Sequence, residues 1–373
     1  MPSRAISAPS PVAPPPLSHH HDKTTRTFPL LTVAGAGACF SLFITLSVCF
    51  CKSSRKRQPP PPGDPSSSSS SSHTPREFSY STLRRATASF SPANRLGQGG
   101  FGAVFRGTFS SGENVAVKVM DSGSLQGEAE FQNELFFAAR LDSPHVVPVI
   151  GFSHDRKRRR LLLVYRLMDN GNLQDALLHR RCPELMDWGK RFSVAVNVAE
   201  GIEHLHGLER PVIHGDIKPS NVLLDKLFSA KIADFGLARV KPEHSCGISS
   251  TPSMRGTVCY AAPEYCNLDN IVSEKCDVYS YGVLLLVLVS GRRPLEMTGS
   301  ASEIQRANLM SWARKLARRG KLVDLVDQKL QNLDQEQAVL CIKVALQCLQ
   351  RLPVSRPSMK QVLGMLKGEV SLP

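Results

Sequence analysis

An α+β fold, strands first and helices after, behind a single membrane-spanning helix, is what this 373-residue sequence predicts. Three observations predict it. An uncharged apolar run, Leu30 to Cys51, has the roughly 20 residues that a helix needs to cross a bilayer. Short runs, Val104–Phe109 and the alternating Val115–Lys118, read as strands beside a glycine-rich turn. Helical patterns follow: Glu128–Leu141, with Phe131, Leu135, Ala138 and Ala139 near one face, and Val283–Val289 within Asp277–Ser290. The last run is too short for a second span and is bounded by polar groups, so it reads as a buried helix.

Residues 1–29 are rich in Pro, Ser and His and show no repeat. Such a segment cannot bury a core, so a short disordered stretch outside the membrane is expected, with no receptor module of its own. After the span come Lys52, Arg55, Lys56 and Arg57, against Lys23 and Arg26 before it, which places the C-terminal part in the cytoplasm. A cleaved signal peptide is the weaker reading, because the apolar run begins late and carries its Ala-Gly-Ala-Gly-Ala stretch at the front. Residues 52–76, with prolines 59–62 and serines 66–72, read as a mobile basic linker. Cys49 and Cys51 lie at the membrane face, where S-acylation and plain lipid contact are equally open. The net charge of +14 comes with no aromatic-interleaved basic stripe or zinc-finger spacing, which argues against nucleic acid and for membrane lipids as the partner. The later cysteines sit singly among apolar residues, as reduced cytosolic thiols do.

Chemistry is concentrated further along. His214-Gly215-Asp216-Ile217-Lys218-Pro219-Ser220-Asn221, then Asp234-Phe235-Gly236, sets an acid, a lysine and an asparagine within six positions and a second acid beyond. Phosphoryl transfer needs this set, since positioning and charge neutralisation do most of its catalysis. Asp216 suits a substrate hydroxyl, Lys218 the transferring group, and Asn221 with Asp234 a magnesium ion, a hard cation that prefers oxygen. Upstream, Leu96-Gly97-Gln98-Gly99-Gly100-Phe101-Gly102-Ala103-Val104 lets backbone approach phosphate closely. A dinucleotide site shares that spacing, but here a strand follows, not a phosphate-facing helix. Then comes Val115-Ala116-Val117-Lys118, whose lysine suits the α- and β-phosphates, and Glu134 as its partner.

With these motifs, residues 77–369 resemble a eukaryotic protein kinase domain. The narrower resemblance is to the Pelle-related receptor-like kinases of plants. Phe78-Ser79-Tyr80-x-x-Leu83-x-x-Ala86-Thr87-x-x-Phe90, Leu163-Val164-Tyr165 and Gly256-Thr257-x-x-Tyr260-x-Ala262-Pro263-Glu264-Tyr265 carry it, with Arg356-Pro357-Ser358-Met359. The resemblance implies a bilobal fold, with a small mainly β lobe (77–168, lead-in included) and a large mainly α lobe (169–370), and ATP and magnesium between them. It implies Tyr165 behind the nucleotide pocket and Met168 on the hinge beside Ala116. It also implies that Asp277 braces the catalytic loop, its plain alternative being a helix N-cap, and that Glu264 pairs with Arg356. Lys218, with Gly256-Thr257 ahead of Pro263-Glu264, resembles serine/threonine enzymes, with Thr257 near Asp216 and Lys218. Protein hydroxyls are then the substrates, and a partner receptor or co-receptor at the plasma membrane supplies ligand recognition. The competing class is a pseudokinase scaffold, which need not keep Lys118, Glu134, Asp216, Asn221 and Asp234.

Two positions depart from the family pattern. Gly215 stands where an arginine normally pairs with a phosphorylated activation segment, a contact glycine cannot make. Activity is therefore expected to be independent of phosphates on Ser245, Ser249, Ser250, Thr251 and Ser253. By analogy this class also points to innate immune signalling. Arg166 replaces the usual hinge glutamate, with little consequence expected because adenine uses backbone there. Arg156–Arg160 should cap a small-lobe hairpin as a solvated turn.

Overall fold

The computed structural model describes residues 75–99, 102–120, 124–155, 159–241, 257–266, 272–296 and 308–372. The expected span 30–51, the segment before it and nearly all of the linker lie outside these residues. No helix among the described residues is long and apolar enough to cross a membrane.

The first half is one sheet and two helices. In chain order they are β1 (Arg76–Glu77), α1 (Tyr80–Ala86), β2 (Arg95–Gly99), β3 (Gly102–Thr108), β4 (Asn114–Met120), α2 (Leu125–Ala138), β5 (Val149–Asp155) and β6 (Arg160–Arg166). The sheet order is β1-β5-β6-β4-β3-β2, antiparallel except for the β1–β5 pair. Strand β6 is buried on both faces, and the two-residue pleat divides its side chains. Leu161, Leu163 and Tyr165 pack with Met120 and with Phe131 of α2. Leu162 and Val164 pack with Val115, Val117 and with Leu83 of α1. The Phe78–Phe90 lead-in is therefore the cover of the sheet's outer face. Ser79 caps α1 through its hydroxyl, and Phe78 stacks on Phe109 at 5.1 Å. Arg76, placed in the linker by sequence, is already strand. The hairpin that Arg156–Arg160 should cap is present as β5–β6, with Arg160 already strand and paired with Asp155, and residues 156–158 are not described.

Helix α2 corrects the sequence reading by three residues at each end, because the Ser124 hydroxyl accepts the Gly127 N–H and starts the helix early. Its buried face is Gly127, Glu130, Phe131, Glu134 and Phe137, whereas Leu135 and Ala138 are only partly covered and Ala139 is exposed. Apolar periodicity missed this face because two of its members are acids, Glu134 facing a cation.

The second half is mainly helical. After α3 (Trp188–His206) come the short strands β7 (Val212–Ile213), β8 (Val222–Leu224), β9 (Ala230–Ile232) and β10 (Arg239–Val240), which pair as β7–β10 and β8–β9. Then follow α4 (Pro263–Cys266), α5 (Glu274–Ser290), α6 (Leu309–Arg318), α7 (Gln335–Cys348) and α8 (Met359–Leu366). Helix α5 is buried from Cys276 to Ser290, which bears out a core helix over a second span. Ser273 caps it, so the N-cap reading of Asp277 falls. A buried pair, Arg191 to Asp327 at 2.8 Å, ties α3 to the chain beyond α6. The thiols of Cys276, Cys341 and Cys348 are in no disulfide and are pushed by burial to about 12, in keeping with reduced structural cysteines.

Candidate active site

Strand alternation brings Lys118 to the site. Val115 and Val117 are buried on the outer face, so Ala116 and Lys118 point the other way. The Lys118 ammonium donates to Asp234 Oδ1 at 2.9 Å and stands 3.8 Å from Glu134 Oε1. Three residues from β4, α2 and the Asp-Phe-Gly segment thus converge as the sequence predicts. Burial pushes the Glu134 carboxyl up to about 8 against the pull of Lys118. At Asp234 burial acts in the same direction, but the adjacent Lys118 wins and holds that carboxyl below its usual range.

Asp234 has φ +71°, an uncommon conformation for a residue with a Cβ. The segment after it is pinned by Asn133, whose amide donates to the carbonyls of Phe235, Gly236 and Ala238 at 2.9, 3.0 and 2.8 Å. Sequence reasoning missed Asn133. Its signal was there: a short amide one position before Glu134, on a helix flank with no apolar task.

The second cluster is the catalytic loop. Lys218 donates to Asp216 Oδ2 at 2.6 Å and to Thr257 Oγ1 at 3.0 Å, while the Thr257 N–H lies 3.4 Å from Asp216 Oδ1. The Asn221 amide nitrogen donates to both the carbonyl and Oδ2 of Asp216, each at 2.9 Å. That orientation leaves the Asn221 amide oxygen out of these bonds. His214 packs edge-on against Phe235 at 5.0 Å and accepts the Asp216 N–H, joining the two clusters.

Asp277 braces the loop from α5, accepting the His214 and Gly215 N–H groups at 2.8 Å each, with His206 at 2.9 Å. Burial opposes its ionisation, yet the His206 contact and these donors hold it below the usual carboxylate range. Gly215 takes φ +78° between them. Asp277→Ala leaves two buried N–H groups without acceptors, at roughly 1–3 kcal/mol each. Melting temperature and kcat should fall together; an unchanged melting temperature would remove the brace.

The remaining predicted residues frame the cleft. Ala116, Tyr165 and Met168 gather in one apolar cluster that Leu223 and Ala233 join from the large lobe. Neither of these two was predicted, since their role depends on β8 and β9 lying under the sheet. Arg166 is exposed and its N–H bonds the Pro148 carbonyl, so a hinge contact from that residue falls to its carbonyl. Leu96, Gly97, Gln98 and Gly99 run along β2 and Gly102, Ala103 and Val104 along β3, paired across the turn. Gly100 and Phe101 at the tip lie outside the described residues. At Gly102 a Cβ would sit 1.9 Å from the Val119 carbonyl oxygen, so only glycine fits; a Cβ at Gly97 would meet open space.

The donors suit a nucleotide with a divalent cation. Asp234 and Asn221 offer oxygens, and Glu134 Oε1 and the Tyr165 hydroxyl are buried without a hydrogen-bond partner. Among the described residues no group of three or more His, Cys, Asp or Glu forms a metal cage.

Comparison with known proteins agrees. The protein kinase domain family matches residues 90–366. A receptor-like serine/threonine-protein kinase of Arabidopsis thaliana is 51% identical, covering all of this chain and 97% of its own length. Its alignment spans 632 positions, so it carries long segments without counterpart here. A second such kinase from the same plant is 33% identical over 79% of this chain and 85% of its own length. A proline-rich receptor-like protein kinase is 40% identical over 79% of this chain and 41% of its own length. On motif, geometry and likeness together, the chain belongs to the protein kinase family, as a receptor-like serine/threonine-protein kinase.

Proposed function

We propose that this protein is an active, membrane-anchored kinase that transfers the γ-phosphate of ATP to serine and threonine hydroxyls of cytoplasmic proteins. The observation that carries the reading is the convergence of Lys118, Glu134 and Asp234 on one side and Asp216, Lys218, Asn221 and Thr257 on the other. A pseudokinase has no use for both clusters, so the scaffold reading is not favoured. Asp216 Oδ1 and Oδ2 are placed to orient the acceptor hydroxyl and take its proton. Lys218, bridging Asp216 and Thr257, faces the transferring group. Lys118 grips the nucleotide phosphates and Glu134 steadies it. Asp234 and Asn221 hold magnesium, which with ATP supplies the charge neutralisation that phosphoryl transfer requires. Leu96–Val104 cover the nucleotide, and Ala116, Tyr165 and Met168 enclose its base.

The apolar run 30–51 and the basic residues after it support a single-pass anchor at the plasma membrane with the kinase inside. The receptor-like kinases that this chain resembles support a partner receptor or co-receptor as the source of ligand recognition. Gly215 cannot hold an activation-segment phosphate, so activity does not wait on one.

The test uses the full chain in vesicles with ATP, magnesium and a generic protein substrate. Phosphate should appear on serine and threonine only, and the chain should stay in the membrane pellet after alkaline extraction. Alanine at Ser245, Ser249, Ser250, Thr251 and Ser253 together should keep activity within about twofold; loss of roughly a hundredfold would show a clamp that Gly215 does not provide.

A further inference from the structure

The strand that leads into the activation segment is fastened to the catalytic loop at two levels. At the backbone, β10 lies antiparallel to β7, with Arg239 opposite Ile213 and Val240 opposite Val212. The Lys241 N–H extends this ladder by donating to the Pro211 carbonyl at 2.8 Å. Strand β7 ends at Ile213, so the ladder stops where the loop begins at His214. At the side chain, the Lys241 ammonium donates to Glu274 Oε1 at 2.5 Å. Glu274 opens α5, behind its cap Ser273. Asp277, three residues on, is the carboxylate that accepts the His214 and Gly215 N–H groups at 2.8 Å each. Residues three apart on a helix share a side. One turn of α5 therefore holds the entry to the segment through Glu274 and the loop that carries Asp216 through Asp277.

An exposed ion pair is usually weak, because both side chains must be ordered to make it. Here the ladder already fixes where Lys241 starts, and the first turn of α5 fixes Glu274, which is partly covered. Burial raises the Glu274 carboxyl, but its hydrogen bond from Lys241 leads the contacts that hold it below its usual range. The other end of the segment is tied to the same loop. There the Thr257 hydroxyl accepts from Lys218 at 3.0 Å, and the Thr257 N–H lies 3.4 Å from Asp216 Oδ1. Both ends are thus attached through the protein's own groups, on either side of the position where Gly215 replaces the clamping arginine.

We propose that Lys241 and Glu274 are positioning residues whose ion pair stands in for the phosphate-to-arginine clamp, fastening the entry of the activation segment to the helix turn that braces Asp216. This rests on the kinase reading and on the Gly215 reading above, and says what does the clamp's work. Neither side chain touches the reacting groups. They act through α5, by keeping the segment and the catalytic loop in one fixed relation.

The experiment measures kcat and KM of the full chain with magnesium, ATP and a generic protein substrate. It is run on the natural sequence and on the chain with alanine at Ser245, Ser249, Ser250, Thr251 and Ser253, where no phosphate at these positions can contribute. In both, Lys241→Ala and Glu274→Ala should each lower kcat about fivefold, the upper end for an exposed pair. KM for ATP should stay unchanged, because Lys118, Glu134 and Asp234 are untouched. The double variant should be no slower than either single one, as an interacting pair requires and independent sites do not. Lys241→Arg should keep the rate. Exchanging the charges, Lys241→Glu with Glu274→Lys, should recover part of the loss, less what a cation at a helix N-terminus costs. Melting temperatures check that every variant folds. Single variants that keep the natural kcat, losses that add in the double variant, or an exchange that recovers nothing overturn this proposal alone. A collapse of activity in the five-alanine chain before either residue is changed overturns the Gly215 reading and this proposal with it. No turnover by the natural sequence overturns the kinase reading as well.

Discussion

Asp216→Asn should lower the rate of phosphate transfer by a factor of about 10²–10⁴, the usual worth of a positioned general base. The substitution changes almost no volume, so its effect is chemical. Oδ1 faces the Thr257 N–H and Oδ2 faces both the Lys218 ammonium and the Asn221 amide nitrogen. Every group around this carboxylate donates. An asparagine amide must turn its NH₂ toward one of them, so either orientation sets donor against donor. Lys218 loses the anion that holds it, and the acceptor hydroxyl loses the group that takes its proton. ATP binding should survive, because Lys118, Glu134 and Asp234 are untouched. The check is single-turnover phosphate transfer alongside the rise in melting temperature that ATP produces. A rate within tenfold of the original, with ATP still bound, would take the base role away from Asp216.

Arg356→Ala should destabilise the protein by about 3–5 kcal/mol, because it removes a buried guanidinium and leaves the half-buried Glu264 carboxylate and three backbone carbonyls without their donor. The guanidinium is fully buried and every N–H is used. Nη1 donates to Glu264 Oε1 at 2.6 Å and the Lys275 carbonyl at 2.8 Å, and Nη2 to Glu264 Oε2 at 2.8 Å and the Arg351 carbonyl at 3.3 Å. Nε takes the Gln350 carbonyl at 2.8 Å. This one side chain joins α4, the start of α5 and the turn before α8. For a domain of this size the loss corresponds to roughly 6–20 °C in melting temperature. Lysine should not rescue it, as a point charge cannot reproduce a five-donor fork. The effect has a pH signature. Burial raises the Glu264 carboxyl, but Arg356 outweighs it and holds the group below the ordinary 4.5. A depressed carboxylate stabilises the fold above its unfolded pKa and loses that stabilisation as pH falls through its folded one. The gap between wild type and Arg356→Ala should therefore be full near neutrality and narrow below about pH 4.5. A gap that stays constant with acidification would mean that packing, not charge, makes the difference.

Much of this architecture was legible beforehand because its signals are local. A strand with alternating valines must turn Lys118 opposite to Val115 and Val117. A short, wholly apolar run such as Val283–Val289 must be buried, and the catalytic loop carries its donors and acceptors within six residues. Local signals failed where a side chain's task lies across the fold. Helix α2 was misread by three residues and by face, because Glu130 and Glu134 occupy core positions that an apolar count rejects. Asn133 drew no notice, since its three acceptors lie about a hundred residues later in the chain.

The sequence by itself determined the reaction class, the order of the motifs and the residue types from which a nucleotide site is proposed. Those depend on residue type, and type is what a sequence states. Only the tertiary structure decided which charges are matched and by what: Arg191 by Asp327, Arg356 by Glu264, and Asp277 by His206 and the loop amides. Electrostatic energy depends on distance and burial, and neither is fixed until the chain has closed on itself.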